Sequence, residues 1–99
     1  AEKAVAQFAE FARLAPNEPK AHYNLGAAYK LAGDNAKALP AFERAAGLDP
    51  HLAAARFQLF NGYRTAGRAA EAQKALTEFQ RLKKEQEGAA IPEDVDWCD

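Results

Sequence analysis

Apolar residues along the chain follow the spacing of amphipathic helices, and the pattern repeats after 34 residues. With that shift, Leu25 coincides with Leu59 and Tyr29 coincides with Tyr63. Side chains four positions apart lie on the same face of a helix, so each Leu and Tyr pair marks one buried face. A fixed period of roughly 20 to 50 residues is typical of stacked supersecondary units. The pattern therefore predicts a chain built from repeated helix pairs.

The apolar segments and the turn residues between them predict five helices, over about residues 2–14, 20–32, 36–48, 53–66 and 70–87. Gly33 ends one helix, and Asp34 after it offers an oxygen that can cap the next helix. Pro40 falls inside the third helix, close enough to its start that we expect a small distortion and no break. The predicted fold class is all-α, an α-solenoid of antiparallel helix pairs with a short acidic C-terminal tail.

One segment carries a recognisable signature with the spacing W-x-x-L-G-x-x-Y, then A-x-x-x-F, then P. The residues at these positions are His22, Leu25, Gly26, Tyr29, Ala38, Phe42, Ala45 and Pro50. In this respect the chain resembles the tetratricopeptide repeat family. The resemblance implies a helical domain over residues 1–87, with a half repeat over 1–18, a repeat over 19–52 and a second repeat over 53–86. A tail follows over 88–99.

The second repeat departs from the signature where its two helices should cross. Phe60 stands where the first repeat has Gly26, which lacks a Cβ and allows two helix backbones to approach closely. We therefore expect either a wider helix crossing or a ring turned away from it. Leu76 replaces the signature aromatic and Phe79 replaces a small alanine, an exchange that roughly conserves volume.

Composition narrows the function classes. Thirteen Lys and Arg against fourteen Asp and Glu give a net charge of −1, which argues against general binding of nucleic acid or membrane surfaces. The apolar stretches are short, so we expect a soluble chain, cytoplasmic or else periplasmic or secreted after removal of a leader. The absence of any Met suggests that the start at Ala1 reflects processing or a fragment.

The residues that most often carry chemistry show no catalytic spacing. His22, His51 and Cys98 share no spacing of a metal site or a catalytic triad. We expect His22 to be packed structurally, at the position where the family prefers a tryptophan, and His51 to be a solvated loop residue. No glycine loop for phosphate is present. The sequence predicts no enzyme activity, no metal and no cofactor.

The resemblance implies that the first helix of each pair lines a concave face that holds the ligand. The corresponding positions are Lys20, Tyr23, Asn24, Ala27 and Lys30 on the second helix, with Phe57, Gln58, Asn61 and Arg64 on the fourth. This set combines cations, amides and aromatic rings and contains no acid, so it predicts a non-enzymatic scaffold that binds an extended acidic peptide or protein segment. The alternative is that these cations are only solvated.

The tail suggests a second function. It alternates acids with Ile91, Val95 and Trp97, which is the composition expected of a ligand for the concave face. It could be a disordered end, a cap on the fifth helix, or a segment that inserts into another copy. The alternative functions are therefore a self-assembling module, head to tail or dimeric, that uses the terminal helices and tail, or an accessory repeat segment of a larger secreted protein.

Overall fold

The computed structural model describes the backbone of residues 2–90 and the side chains of residues 3–86. This part of the chain forms five α-helices and no strand: α1 Glu2–Leu14, α2 Pro19–Leu31, α3 Asn35–Leu48, α4 Ala53–Thr65 and α5 Ala69–Ala90. These bounds confirm the all-α prediction, except that α5 continues through the first residues of the predicted tail. The tail residues Ile91, Val95 and Trp97 lie outside the described residues.

The helices pack in chain order, α1 on α2, α2 on α3, α3 on α4 and α4 on α5. The resulting body measures 47 × 30 × 21 Å, which is the elongated shape of a stack in which each unit contacts its neighbours. None of the helices within residues 2–90 has the length and apolar composition that crossing a bilayer requires.

The turn inside each repeat has the same geometry. Gly33 and Gly67 adopt left-handed backbone angles, with φ of 82° and 78°, which glycine reaches without the steric penalty of a Cβ. The amide of Asp34 donates to the Tyr29 carbonyl oxygen at 2.8 Å, and Asp34 in turn caps α3 by accepting from the amide of Lys37 at 3.2 Å. These turns reverse the chain and make each helix pair antiparallel.

The first repeat is held by a close crossing of α2 and α3. Phe42 is 3% exposed and packs against Tyr23, with ring centroids 5.4 Å apart. A Cβ placed on Gly26 would lie only 2.8 Å from the Phe42 ring, so the glycine makes room for it. Pro40 does not break α3, as predicted, since the helix runs continuously from Asn35 to Leu48.

In the second repeat, the aromatic contact between the two helices involves a different position of the second helix than in the first repeat. Phe57, the counterpart of Tyr23, packs against Phe79, with ring centroids 5.2 Å apart. Phe60 is partly buried at the edge of the core, 6.5 Å from Phe57 between ring centroids. The second repeat therefore fills its interior with Phe79 on a different turn of α5 from the one that carries Phe42 in α3.

Candidate functional site

A cleft between α2 and α4, with α3 as its floor, forms the candidate binding site. The Lys30 ammonium donates a hydrogen bond to Gln58 Oε1 at 2.8 Å and so connects the two helices across it. The cleft has a volume of about 40 Å³ and is lined by both of these residues, together with Asn61. We call it the inner cleft. A site this small holds a single side-chain group or a few waters and does not enclose a whole small-molecule ligand.

The repeat itself sets this geometry. Lys30 lies in the last turn of α2 and Gln58 in the first half of α4, and α3 packs against both helices. Leu39 and Phe42, both buried, supply the apolar floor from α3. The polar groups therefore stand above a packed interior that keeps them in place.

Positive charge and amide groups dominate around the cleft. Arg64 donates to Asn61 Oδ1 at 3.2 Å, and its guanidinium carbon lies 5.6 Å from the centre of the Phe60 ring. No acidic residue lines the cleft within the described part of the chain. A carboxylate that enters would meet the Lys30 ammonium, which already forms a charge-assisted hydrogen bond with a neutral acceptor.

The structure brings some of the predicted residues together and leaves others apart. Lys30, Gln58 and Asn61 line the cleft, and Arg64 is attached to it through Asn61. The remaining predicted residues are not part of its lining: Lys20, Tyr23, Asn24, Ala27 and Phe57. Tyr23 is half-buried on the core, whereas Phe57 keeps 42% of its surface exposed.

Sequence reasoning missed two polar residues that line the cleft. Asn35 begins α3 and Thr65 ends α4, and both lie at its edge. Neither belongs to the helical stripe that the resemblance marks, because each sits beside a turn. Only the relative placement of three helices brings them to the site.

The two histidines make backbone contacts. The Nε2 atom of His22 lies 2.8 Å from the carbonyl oxygen of Pro16, and the side chain is partly buried. The amide of His51 donates to Asp49 Oδ1 at 3.1 Å, and its carbonyl accepts from Gln86. Within residues 3–86, no group of three or more His, Cys, Asp and Glu side chains converges as metal ligands would.

Comparison with known proteins agrees with the fold. A family model of the tetratricopeptide repeat matches residues 19–52, which is the segment whose spacing resembles that repeat. No significant match to a curated protein was found.

Solved structures of MamA share the helical-repeat architecture. MamA MSR-1 superposes with a TM-score of 0.78 at 22% identity, over 86% of this chain and 49% of that one. MamA AMB-1 superposes with a TM-score of 0.77 at 25% identity, over 90% of this chain and 50% of that one. A mutant of MamA superposes with a TM-score of 0.79 at 26% identity, over 92% of this chain and 51% of that one. The present chain therefore spans about half the length of these structures.

Proposed function

We propose that this chain is a non-enzymatic scaffold whose inner cleft and adjoining cations bind an extended acidic segment of a partner protein. The hydrogen bond between Lys30 and Gln58 carries the proposal, because it places a cation and an amide from neighbouring repeats side by side. Stacked helical repeats commonly bind ligands along such a surface. The match of residues 19–52 to the tetratricopeptide repeat supports the same class of function.

Each group at the cleft suits one part of such a ligand. The ammonium of Lys30 and the guanidinium of Arg64 can pair with carboxylates through charge-assisted hydrogen bonds. The amides of Gln58 and Asn61 can bond to the backbone of an extended segment. Phe57, which remains exposed, offers an apolar contact to one of its side chains. The ligand would lie along α2 and α4 and place one side chain in the cleft.

Charge reversal tests the proposal. The probe is a short synthetic peptide, capped at both ends, in which glutamate alternates with leucine. Its affinity for the Lys30→Glu, Arg64→Glu double variant should fall by more than about tenfold at low salt, since two attractive pairs become repulsive. The control is Lys3→Glu with Lys84→Glu, which makes the same charge change at two exposed sites away from the cleft.

Comparison of the two variants distinguishes binding at the inner cleft from a general response to charge. Loss of binding in the first variant alone supports the cleft. Equal losses in both variants would show that the peptide responds only to overall charge, and unchanged affinity in both would exclude the cleft as its site.

Self-association is a second candidate function, favoured by the uncovered surface of α1. Phe11 is 45% exposed, although Ala45 at the same place in the next repeat is fully buried. Leu14, on the same helix, is 66% exposed. We propose that this surface, with the tail residues Ile91, Val95 and Trp97, contributes contacts between copies. A role as an accessory segment of a larger secreted protein also stays a prediction.

A further inference from the structure

Each repeat carries a groove on the face of its first helix that lies about a third of a turn away from the inner cleft. The first outer groove, between α2 and α3, contains His22, Leu25, Tyr29, Lys37 and Arg44. The second outer groove, between α4 and α5, contains the residues 34 positions later: Arg56, Leu59, Tyr63, Glu71 and Glu78. Their volumes are about 420 and 190 Å³, so the first is the more open. The two grooves are repeat-related and can be compared position by position.

In the second outer groove, Tyr63 and Glu71 already have charged partners within the chain. The Tyr63 hydroxyl donates to Glu43 Oε2 of α3 at 2.6 Å. Arg68 forms an ion pair with Glu71, with Nη2 and Oε2 2.6 Å apart, and its guanidinium lies over the Tyr63 ring at 4.8 Å. The Tyr63 hydroxyl is therefore hydrogen-bonded to a carboxylate from the neighbouring repeat.

The first outer groove lacks this carboxylate. Ala9 stands where the next repeat junction has Glu43, and within residues 3–86 the Tyr29 hydroxyl forms no hydrogen bond with a side chain or backbone group. Lys37 stands in place of Glu71 and Arg44 in place of Glu78, so both acids of the second groove become cations. The groove offers a tyrosine hydroxyl and two cations in one open space.

No acid lines the first outer groove within residues 3–86, and the one acid that pairs with a cation of its lining there is Asp34. Asp34 caps α3 through the amide of Lys37, and its other oxygen lies 4.0 Å from the Lys37 ammonium. Arg44 makes no hydrogen bond or ion pair within residues 3–86. Arg44 is therefore unpaired among these residues, and Lys37 has only one exposed contact at 4.0 Å, which an acidic occupant can replace at little cost.

We infer that the first outer groove binds the C-terminal segment, residues 91–99, of a second copy of the chain. The segment supplies four carboxylates, those of Glu93, Asp94, Asp96 and Asp99, opposite Lys37 and Arg44. One of these carboxylates would accept a hydrogen bond from the Tyr29 hydroxyl, as Glu43 does from the Tyr63 hydroxyl. Ile91, Val95 and Trp97 supply apolar side chains for the Leu25 floor. This inference rests on the self-association proposed above and names its acceptor site.

The short length of residues 91–99 favours binding to the groove of a second copy over binding to the groove of the same chain. Nine residues span at most about 30 Å when fully extended. Near its end, α5 contacts the turn between α3 and α4, where Gln86 Nε2 donates to the His51 carbonyl at 3.0 Å. To reach the first outer groove of its own chain, the segment would have to pass α4, which packs against both α5 and α3. A neighbouring copy has no such restriction.

Trp97 is the only tryptophan of the chain, so its fluorescence reports on the proposed occupant directly. In the 99-residue chain we expect blue-shifted emission at high protein concentration and red-shifted emission on dilution. Lys37→Glu with Arg44→Glu should weaken this association by about tenfold or more, because attraction becomes repulsion. The control Lys74→Glu with Lys84→Glu makes the same charge change outside the groove and should leave it unchanged. Circular dichroism verifies that each variant is folded.

A charge-swap mixture tests direct contact. Glu93→Lys with Asp94→Lys should abolish the blue shift alone and restore it when mixed with the Lys37→Glu, Arg44→Glu chain. Trp97 emission that stays red at every concentration would overturn the inference, and so would a blue shift that does not depend on concentration. Sedimentation of the same samples separates the two proposals: association with a solvent-exposed Trp97 would refute only this groove, whereas a persistent monomer would refute self-association as well.

Discussion

Gly26 on α2 lies against the ring of Phe42 on α3 so closely that a Cβ at Gly26 would stand 2.8 Å from Phe42 Cε1. The ring is almost fully buried and therefore has little room to move. Gly26→Ala should lower the free energy of unfolding by about 1–2 kcal/mol, because overpacking outweighs the gain of about 1 kcal/mol in helix propensity. Urea denaturation measures the change.

Gly47 provides the matched control. It is also helical, but a Cβ there would meet no atom within 4 Å. Gly47→Ala should raise the free energy of unfolding by a few tenths to about 1 kcal/mol through helix propensity alone. If both substitutions stabilise the chain, the close crossing of α2 and α3 is wrong.

The hydrogen bond from Tyr63 to Glu43 should make stability sensitive to high pH. Burial raises the pKa of Tyr63 to about 12, and the hydrogen bond to the Glu43 carboxylate adds to the effect. Because the folded state holds this proton more tightly than the unfolded state, whose tyrosine pKa is near 10, the contribution is complete below about pH 10. It is lost as the pH rises towards 12.

Tyr63→Phe isolates that contribution from the titration of lysines. Thermal unfolding of the wild type should lose more stability between about pH 9 and 11.5 than the Tyr63→Phe variant does. Absorbance titration should show that the variant lacks the tyrosine that ionises at the highest pH, whereas Tyr29→Phe retains it. Identical pH profiles for wild type and Tyr63→Phe would contradict this account of the repeat junction.

The aromatic contacts of the two repeats should differ in their importance for stability. Phe42 is 3% exposed, and Phe42→Ala should reduce the free energy of unfolding by about 3–5 kcal/mol. Phe79 is only partly buried, so Phe79→Ala should have a smaller effect. Chemical denaturation of both variants gives the order directly, and the reverse order would contradict the packing described.

Substitution of the uncovered α1 surface should reduce self-association without loss of folding. Phe11→Ser with Leu14→Ser removes apolar area that is already exposed, so the free energy of unfolding should change little. Sedimentation at tens of micromolar should shift towards monomer. Leu31→Ser is the control, since Leu31 is 84% exposed on a different helix. Equal shifts for both would point to general hydrophobicity.

Much of the fold could be predicted because the 34-residue period constrains every unit in the same way. The Leu25 and Tyr29 spacing identified α2, and the turn glycine Gly33 gave its end to within a residue or two. The one clear misplacement was the end of α5, which continues to Ala90 although the predicted helix ended before Gly88; a single glycine lowers helix propensity by about 1 kcal/mol without stopping the helix. Local spacing therefore determines the helices well.

Contacts between repeats could not be predicted in the same way. The bond from Lys30 to Gln58 depends on how α2 and α4 are rotated relative to each other, which no spacing within one helix records. Tyr63 meets Glu43 only at the second junction, since Ala9 occupies the matching place at the first. The sequence could predict that α2 and α4 each contribute side chains to one surface, but not which of those side chains converge at the inner cleft.

Residue-by-residue mapping of ligand contact tests the central claim most directly. Amide resonances of the isotopically labelled 99-residue chain would be followed by NMR during titration with the capped peptide of alternating glutamate and leucine. The account predicts the largest shifts at Lys30, Gln58 and Asn61, with weaker shifts at Phe57. Shifts confined to other surfaces, or no saturable shift at millimolar peptide, would contradict binding at the inner cleft.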